Sequence, residues 1–312
     1  MITVAHDGTG DFNSVQEAVD SVSMLPETIF VKKGIYHEIV TISMPYLTIE
    51  GEDANETIIE YDNYANMILE NNEKRGTFRS YTMLITADYF TCSNITIANT
   101  SGFGKQVGQA IAVYAEGDHI HFKDCRILGH QDTLFTGPLP NEVVISGGFT
   151  GPTEFAERKL CRQIYTDCYI EGEVDFIFGS AAAYFDNCEL YSIDRGIDPD
   201  GYVTAPSTYR EQKYGYIFNN CRFTGNCPPG TVYISRPWRI YAQTILLNCE
   251  LGEHIKSEGF HDWGKPESHE TVTYAEYNCF GPGADRTGRV DFAHELTAEE
   301  AEYYSLDNFK KS

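Results

Sequence analysis

Apolar positions near the start of the chain change period within a few residues. Ile2 and Val4 alternate with polar neighbours as on a strand, and Asp7-Gly8-Thr9-Gly10 supplies a turn. Behind Ser14, a helix cap, Val15, Ala18, Val19 and Val22 recur on one helical face. From about Ile29 the pattern becomes short β-rich runs broken by Gly, Asn and Asp. A phrase then repeats: Asn94-Ile95-Thr96-Ile97, Asp124-Cys125-Arg126-Ile127, Asp167-Cys168-Tyr169-Ile170, Asn187-Cys188-Glu189-Leu190, Asn220-Cys221-Arg222-Phe223 and Asn248-Cys249-Glu250-Leu251. Its starts are separated by 30, 43, 20, 33 and 28 residues. One coil of three short strands and three connections needs roughly 20–30 residues. Each coil leaves an apolar face that only its neighbours can cover, so the pattern predicts a stacked solenoid. The phrase stacks into a buried file of cysteines, with Asn or Asp at each turn satisfying backbone groups. Hairpin turns such as Asn-Gly are nearly absent, which favours a parallel β-helix over a β-sandwich.

The 43-residue interval stands out. Gly137-Pro138-Leu139-Pro140, Gly147-Gly148 and Gly151-Pro152 mark an excursion, and residues 138–158 read as an inserted loop leaving the coil near a cleft. At the far end Thr297, with Glu300 three residues on, forms a capping box that opens a helix expected to close the last coil. No linker or low-complexity stretch appears, so residues 1–312 are expected to form one domain.

Charge narrows the partners. Lys and Arg number 23 against 46 Asp and Glu, a net charge of −23. Nucleic acid and anionic membranes are therefore excluded as expected partners, and a neutral polymer is better tolerated than a polyanion. Nine cysteines without a CxxC pair point to reduced, buried thiols. The first residues carry no basic and apolar export pattern, and no run approaches the ~18 apolar residues of a membrane span. A cytoplasmic monomer is the expectation, with secretion the alternative if the N-terminus is trimmed.

Candidate chemistry centres on Glu171–Ser180. Asp175 lies within the apolar run Val174-Asp175-Phe176-Ile177-Phe178. Strand alternation would put Asp175 and Ile177 on one face and Val174, Phe176 and Phe178 on the other. Such an Asp either caps a turn at a strand edge or is a carboxylate held ready for chemistry, because burying its charge uncompensated costs several kcal/mol. Gly8-Thr9-Gly10 lacks the rest of a phosphate loop, and Asp198-Pro199-Asp200-Gly201 lacks the rest of a calcium loop; both read as turns. No G-x-S-x-G, H-E-x-x-H or Cys/His ligand set appears, so neither a serine nucleophile nor metal-activated water is signalled, and no metal or cofactor is expected.

Four segments taken together carry a resemblance: Gln109-Ala110-Ile111-Ala112-Val113, Gln131-Asp132-Thr133-Leu134, Asp175-Phe176-Ile177-Phe178-Gly179 and Arg236-Pro237-Trp238, in this order. The chain resembles the pectin methylesterases (pectinesterases) over nearly its whole length, including Gly259-Phe260-His261-Asp262-Trp263 near the end. The resemblance implies a right-handed parallel β-helix that hydrolyses methyl esters of galacturonate units in pectin or oligogalacturonides. It implies Asp175 as nucleophile, oriented by Arg236, and Asp132 as general acid and base. Gln131 would stabilise the transition state, with Gln109 binding substrate and helping the oxyanion. Trp238 and Thr77 match substrate-binding positions, and Phe178 and Phe135 could add apolar subsite walls. Most family members place the two aspartates closer in sequence, and they commonly have Gly where Ser235 stands here. His130 is assigned no role. A β-helical acyl-thioesterase, a pectin-binding module and a pectin depolymerase are the rival readings. The intact set of Gln109, Gln131, Asp132, Asp175, Arg236 and Trp238 argues against the first two, and neither the calcium carboxylates and basic residue of a lyase nor the additional aspartate of a hydrolase accompanies Asp132 and Asp175.

Overall fold

A computed structural model describes all 312 residues. After the strand Ile2–Val4 and the helix Val15–Ser21, the chain winds into stacked coils, each contributing strands to separate parallel sheets of eleven, eight and seven strands. The walls are thus the three faces of a parallel β-helix. Ser14 caps the first helix through the Glu17 amide, and Val15, Ala18 and Val19 cover one end of the solenoid. Val22, which the periodicity placed on the helical face, is instead the extended residue after its last turn.

The repeated phrase marks a left-handed backbone turn. Asn94, Asp124, Asp167, Asn187, Asn220 and Asn248 all have φ between 52° and 54°, and Asn278 adds a further turn at 51°. Asn and Asp tolerate this region because their short polar side chains bond locally, whereas most residues pay roughly 1 kcal/mol there. The cysteines that follow point inward. Cys168, Cys188, Cys221 and Cys249 each donate to a carbonyl of the preceding coil: Phe122, Tyr165, Phe185 and Phe218, at 3.3–3.6 Å. All nine thiols are unpaired and eight are buried. Beside them Phe122, Tyr165, Phe185 and Phe218 stack with centroids 4.6–5.3 Å apart. One continuous core of 55 buried residues extends from Val4 to Ala293. Truncating a ring in this file, for example Phe185→Ala, removes stacking on both sides and should destabilise by about 3–5 kcal/mol.

The capping box forms as expected, opening the helix Ala298–Tyr303. A second helix, Leu306–Lys310, follows it. Neither closes the last coil. Ala301 and Phe309 lie against Tyr184, Tyr214, Ile217 and Ile245 on the outer face of the eleven-stranded sheet. That face is apolar and the helices cover it, a demand stronger than that of the solenoid end, which Phe260, Phe292 and Ala293 already fill.

Candidate active site

The site is built on the outer face of the seven-stranded sheet. Consecutive strands Met83–Ile85, Val113–Ala115, Leu134–Thr136, Val174–Gly179 and Gly201–Pro206 pair in parallel register. Leu84, Tyr114, Phe135, Phe178 and Ala205 form one outward row across it. The Asp132 amide donates to the Val174 carbonyl at 3.0 Å, and the Ala110 amide donates to the Gln131 carbonyl at 3.0 Å. These bonds set Gln109, Gln131–Asp132 and Asp175 on three adjacent coils, so parallel strand spacing brings together residues far apart in sequence.

Both aspartates have left-handed backbone, with φ of 64° at Asp132 and 50° at Asp175, and neither belongs to the repeated Asn/Asp turns. At Asp175 the cause is a bulge: the register with the next strand shifts between Val174 and Ile177. This corrects the strict alternation expected from sequence. The extra residue puts Phe176 and Ile177 both into the interior and turns Asp175 and Phe178 together toward the cleft. As at the repeated turns, an Asp tolerates this backbone, and here the bulge re-aims its side chain.

The carboxyls are in unlike surroundings. Asp175 receives both arms of the Arg236 guanidinium, Nε at 2.8 Å and Nη2 at 2.7 Å, a bidentate pair that fixes its plane. Arg236 is itself clamped, with its guanidinium carbon 3.9 Å from the Tyr202 ring centre and 3.7 Å from that of Trp263. Asp132, 7% exposed, has no such cation. Burial pushes its carboxyl well above the ordinary range and the adjacent negative Asp175 adds to that, against weaker opposing effects of Arg236 and the Gln131 amide. One member of the pair is therefore clamped by a cation, while the other lacks one and favours its protonated form to higher pH.

A cleft of about 1030 Å³ opens above them, lined among others by Thr77, Gln109, Gln131, Phe178, Trp238 and Trp263. Of the sequence-predicted residues, only Phe135 does not reach it. Phe135 is fully buried beneath Phe78, 5.1 Å away, and Phe178, 5.0 Å away, with Leu139 and Phe149 in the same cluster. It supports the Phe178 wall from below. Ser235, where relatives commonly carry Gly, is buried with Oγ 3.0 Å from Thr244 Oγ1, away from the cleft. His130 faces Glu173, Nδ1 to Oε2 3.4 Å, behind the site. Asp200 of the calcium-like fragment is occupied by the Arg195 amide.

Three residues escaped the sequence reading. Tyr202 and Trp263 are the aromatic faces on Arg236. Lys265 Nζ donates to the Pro237 and Trp238 carbonyls at 2.6 and 3.1 Å, bracing the loop that carries Trp238. Burial, then the nearby Arg239 and Arg236, brings the Lys265 ammonium down to about 8. Trp263 was in view only as part of a terminal segment; a partner for a cation buried beside Asp175 was the signal that could have singled it out.

No helix is long and apolar enough to cross a membrane. The Pectinesterase family model matches residues 1–139 and 155–312. Pectinesterase 31 of Arabidopsis thaliana is 32% identical, over 99% of this chain and 92% of its own length. A pectin methylesterase solved in complex with a hexasaccharide superposes with a TM-score of 0.82 at 28% identity, covering 99% of this chain and 96% of that one. Carrot pectin methylesterase superposes at 0.83 with 27% identity, over 99% of this chain and 92% of that one. With nearly the full length matched in sequence and in fold, and gapped only at residues 140–154, the chain belongs to the pectinesterase family.

Proposed function

We propose that the cleft hydrolyses methyl esters of galacturonate units in pectin or oligogalacturonides, releasing methanol and a free carboxylate. The observation that carries this reading is the asymmetry of the pair: Arg236 grips Asp175 alone, while Asp132 is buried without a cation. An Asp175 oxygen attacks the ester carbonyl, and the Gln131 and Gln109 amides donate to the oxyanion that develops. Asp132 gives its proton to the departing methoxide, which leaves as methanol. The acyl group is then held on Asp175 as a mixed anhydride. Asp132, now a carboxylate, takes a proton from water as that water attacks the acyl carbon. Collapse of this second tetrahedral species frees the galacturonate carboxyl and restores both aspartates. Arg236 holds the plane of the attacking carboxylate, and Trp238 offers an aromatic face to a sugar ring. A cleft of this volume lies at the upper end of the ~300–1,000 Å³ of small-molecule sites and has room for an oligosaccharide. The test is Asp175→Asn: methanol release from esterified pectin should vanish while the circular dichroism spectrum stays that of the parent. Substantial retained turnover would remove the nucleophile.

We also infer that the enzyme works as a cytoplasmic monomer on short, methylated oligogalacturonides. Nine unpaired thiols support a reducing compartment. Comparing kcat/KM on oligomers and on long pectin tests the substrate; a strong preference for the polymer overturns it.

A further inference from the structure

Residues 140–154, the part of the chain that the family match omits, form one wall of the cleft. Their seating is specific. At the root, Thr153 Oγ1 donates to Glu116 Oε2 at 2.6 Å and lies 2.5 Å from the Tyr114 hydroxyl, which itself donates to Glu116 at 3.1 Å. Gly151 packs so tightly on Phe78 that an added Cβ would come within 2.7 Å of its Cβ. Phe149 is buried edge-on against Phe78 and Trp238, at 5.9 and 6.1 Å. Near the tip, Arg239 Nη2 donates to the Glu142 carbonyl at 2.9 Å. The segment is thus tied to the loop that carries Trp238.

Between these ties Val144 and Ile145 line the cleft, yet each is 75% exposed. Apolar side chains left in water at a ligand site mark the place where the ligand covers them. Pro140 to Phe149 holds a single charged residue, Glu142, and no cation. Elsewhere the cleft is lined by Arg210, Arg239 and Lys265. A free galacturonate carboxylate brought against Val144 and Ile145 would lose hydration without gaining a donor. A methyl ester in the same position carries no charge and buries its methyl group.

We propose that the Val144–Ile145 lip is a subsite for a methyl-esterified galacturonate unit beside the one being hydrolysed, so that the enzyme favours densely esterified stretches. The proposal deepens the esterase reading and rests on it. The experiment compares kcat/KM for methanol release from fully esterified oligogalacturonides and from oligomers carrying one ester, for the parent protein, V144S/I145S and I145K. The parent should prefer the fully esterified oligomer. V144S/I145S should reduce that preference by about fourfold or more, the equivalent of one lost methyl contact, by lowering kcat/KM on the fully esterified oligomer more than on the single-ester one. I145K should shift the preference further, toward neighbours with free carboxylates. An unchanged preference in both variants, or an equal loss on both substrates, overturns the lip while leaving the esterase reading in place. No methanol from either substrate with the parent protein overturns the esterase reading and the lip with it.

Discussion

The floor and the wall of the cleft are held by different means. Asp132 and Asp175 project from adjacent coils, placed by ladder hydrogen bonds such as Asp132 to Val174. The wall at 140–154 depends on side-chain ties: Thr153 to Glu116, Phe149 to Trp238, and Arg239 to Glu142. Stacked backbone fixes the spacing of the reacting groups with little freedom for drift, as catalysis requires. A side-chain-tied excursion can vary in length and chemistry without disturbing the coils beneath it, and here it supplies apolar surface. The division predicts that changes in the floor act on turnover, and changes in the wall on choice of substrate.

After loss of the Asp175 nucleophile itself, the largest expected effect is at Asp132. Asp132→Asn should lower kcat by roughly 10²–10⁴-fold through loss of the proton donor and acceptor. In the parent protein the first step needs Asp132 protonated, so the rate should fall as pH rises through its raised pKa. Stability moves the same way. Below the ordinary value of 3.8 both folded and unfolded chains carry the proton and no penalty exists. Above it the unfolded chain ionises first, so stability falls until the pH reaches the raised folded value. Asp132→Asn should therefore raise Tm by a few degrees (about 2–4 °C per kcal/mol) at neutral pH and hardly at all near about pH 3. An equal shift at both pH values would contradict the assignment of the buried proton.

Gln131→Ala should cost roughly 10²–10³-fold in kcat if its amide meets the oxyanion; a change confined to KM would make it a substrate contact only. Trp263→Ala removes one of the two rings that hold Arg236. A cation–π contact of about 0.5–2 kcal/mol predicts a loss of about 2- to 30-fold in kcat/KM, with Trp263→Phe recovering most of it. The smallest catalytic effect belongs to the wall. Thr153→Val deprives buried Glu116 of a donor, at about 1–3 kcal/mol of local stability. It should change kcat on a single-ester substrate by less than about threefold. Limited proteolysis, however, should cut residues 140–154 faster. A large loss of kcat would merge wall and floor into one functional unit.

Much of this could be read before any coordinates. The Asn/Asp–Cys phrase carried the coil, because a left-handed turn and a small buried side chain recur at each stack and restrict the residue types allowed. The charged and amide residues of the floor could be named from their segments. Their exposure could not. Alternation misassigned Ile177 and Phe178, since a bulge is set by pairing with the neighbouring strand rather than by local preference. Phe135 reads from the sequence as a subsite wall because nothing along the chain announces that Phe78, Leu139 and Phe149 roof it.

The resemblance of four segments to the pectin methylesterases named two acidic groups, two amides and a cation, whereas spacing and turn chemistry by themselves determined a stacked β solenoid. Those properties are local or periodic, and each coil repeats them. Only the tertiary structure decided that Arg236 bonds to Asp175 and not Asp132, that Tyr202 and Trp263 hold it, and that residues 140–154 lean over the cleft with Val144 and Ile145 bare. Each of these depends on which coil lies beside which and on what covers a side chain, and such contacts join positions whose separation along the chain carries no trace of their meeting.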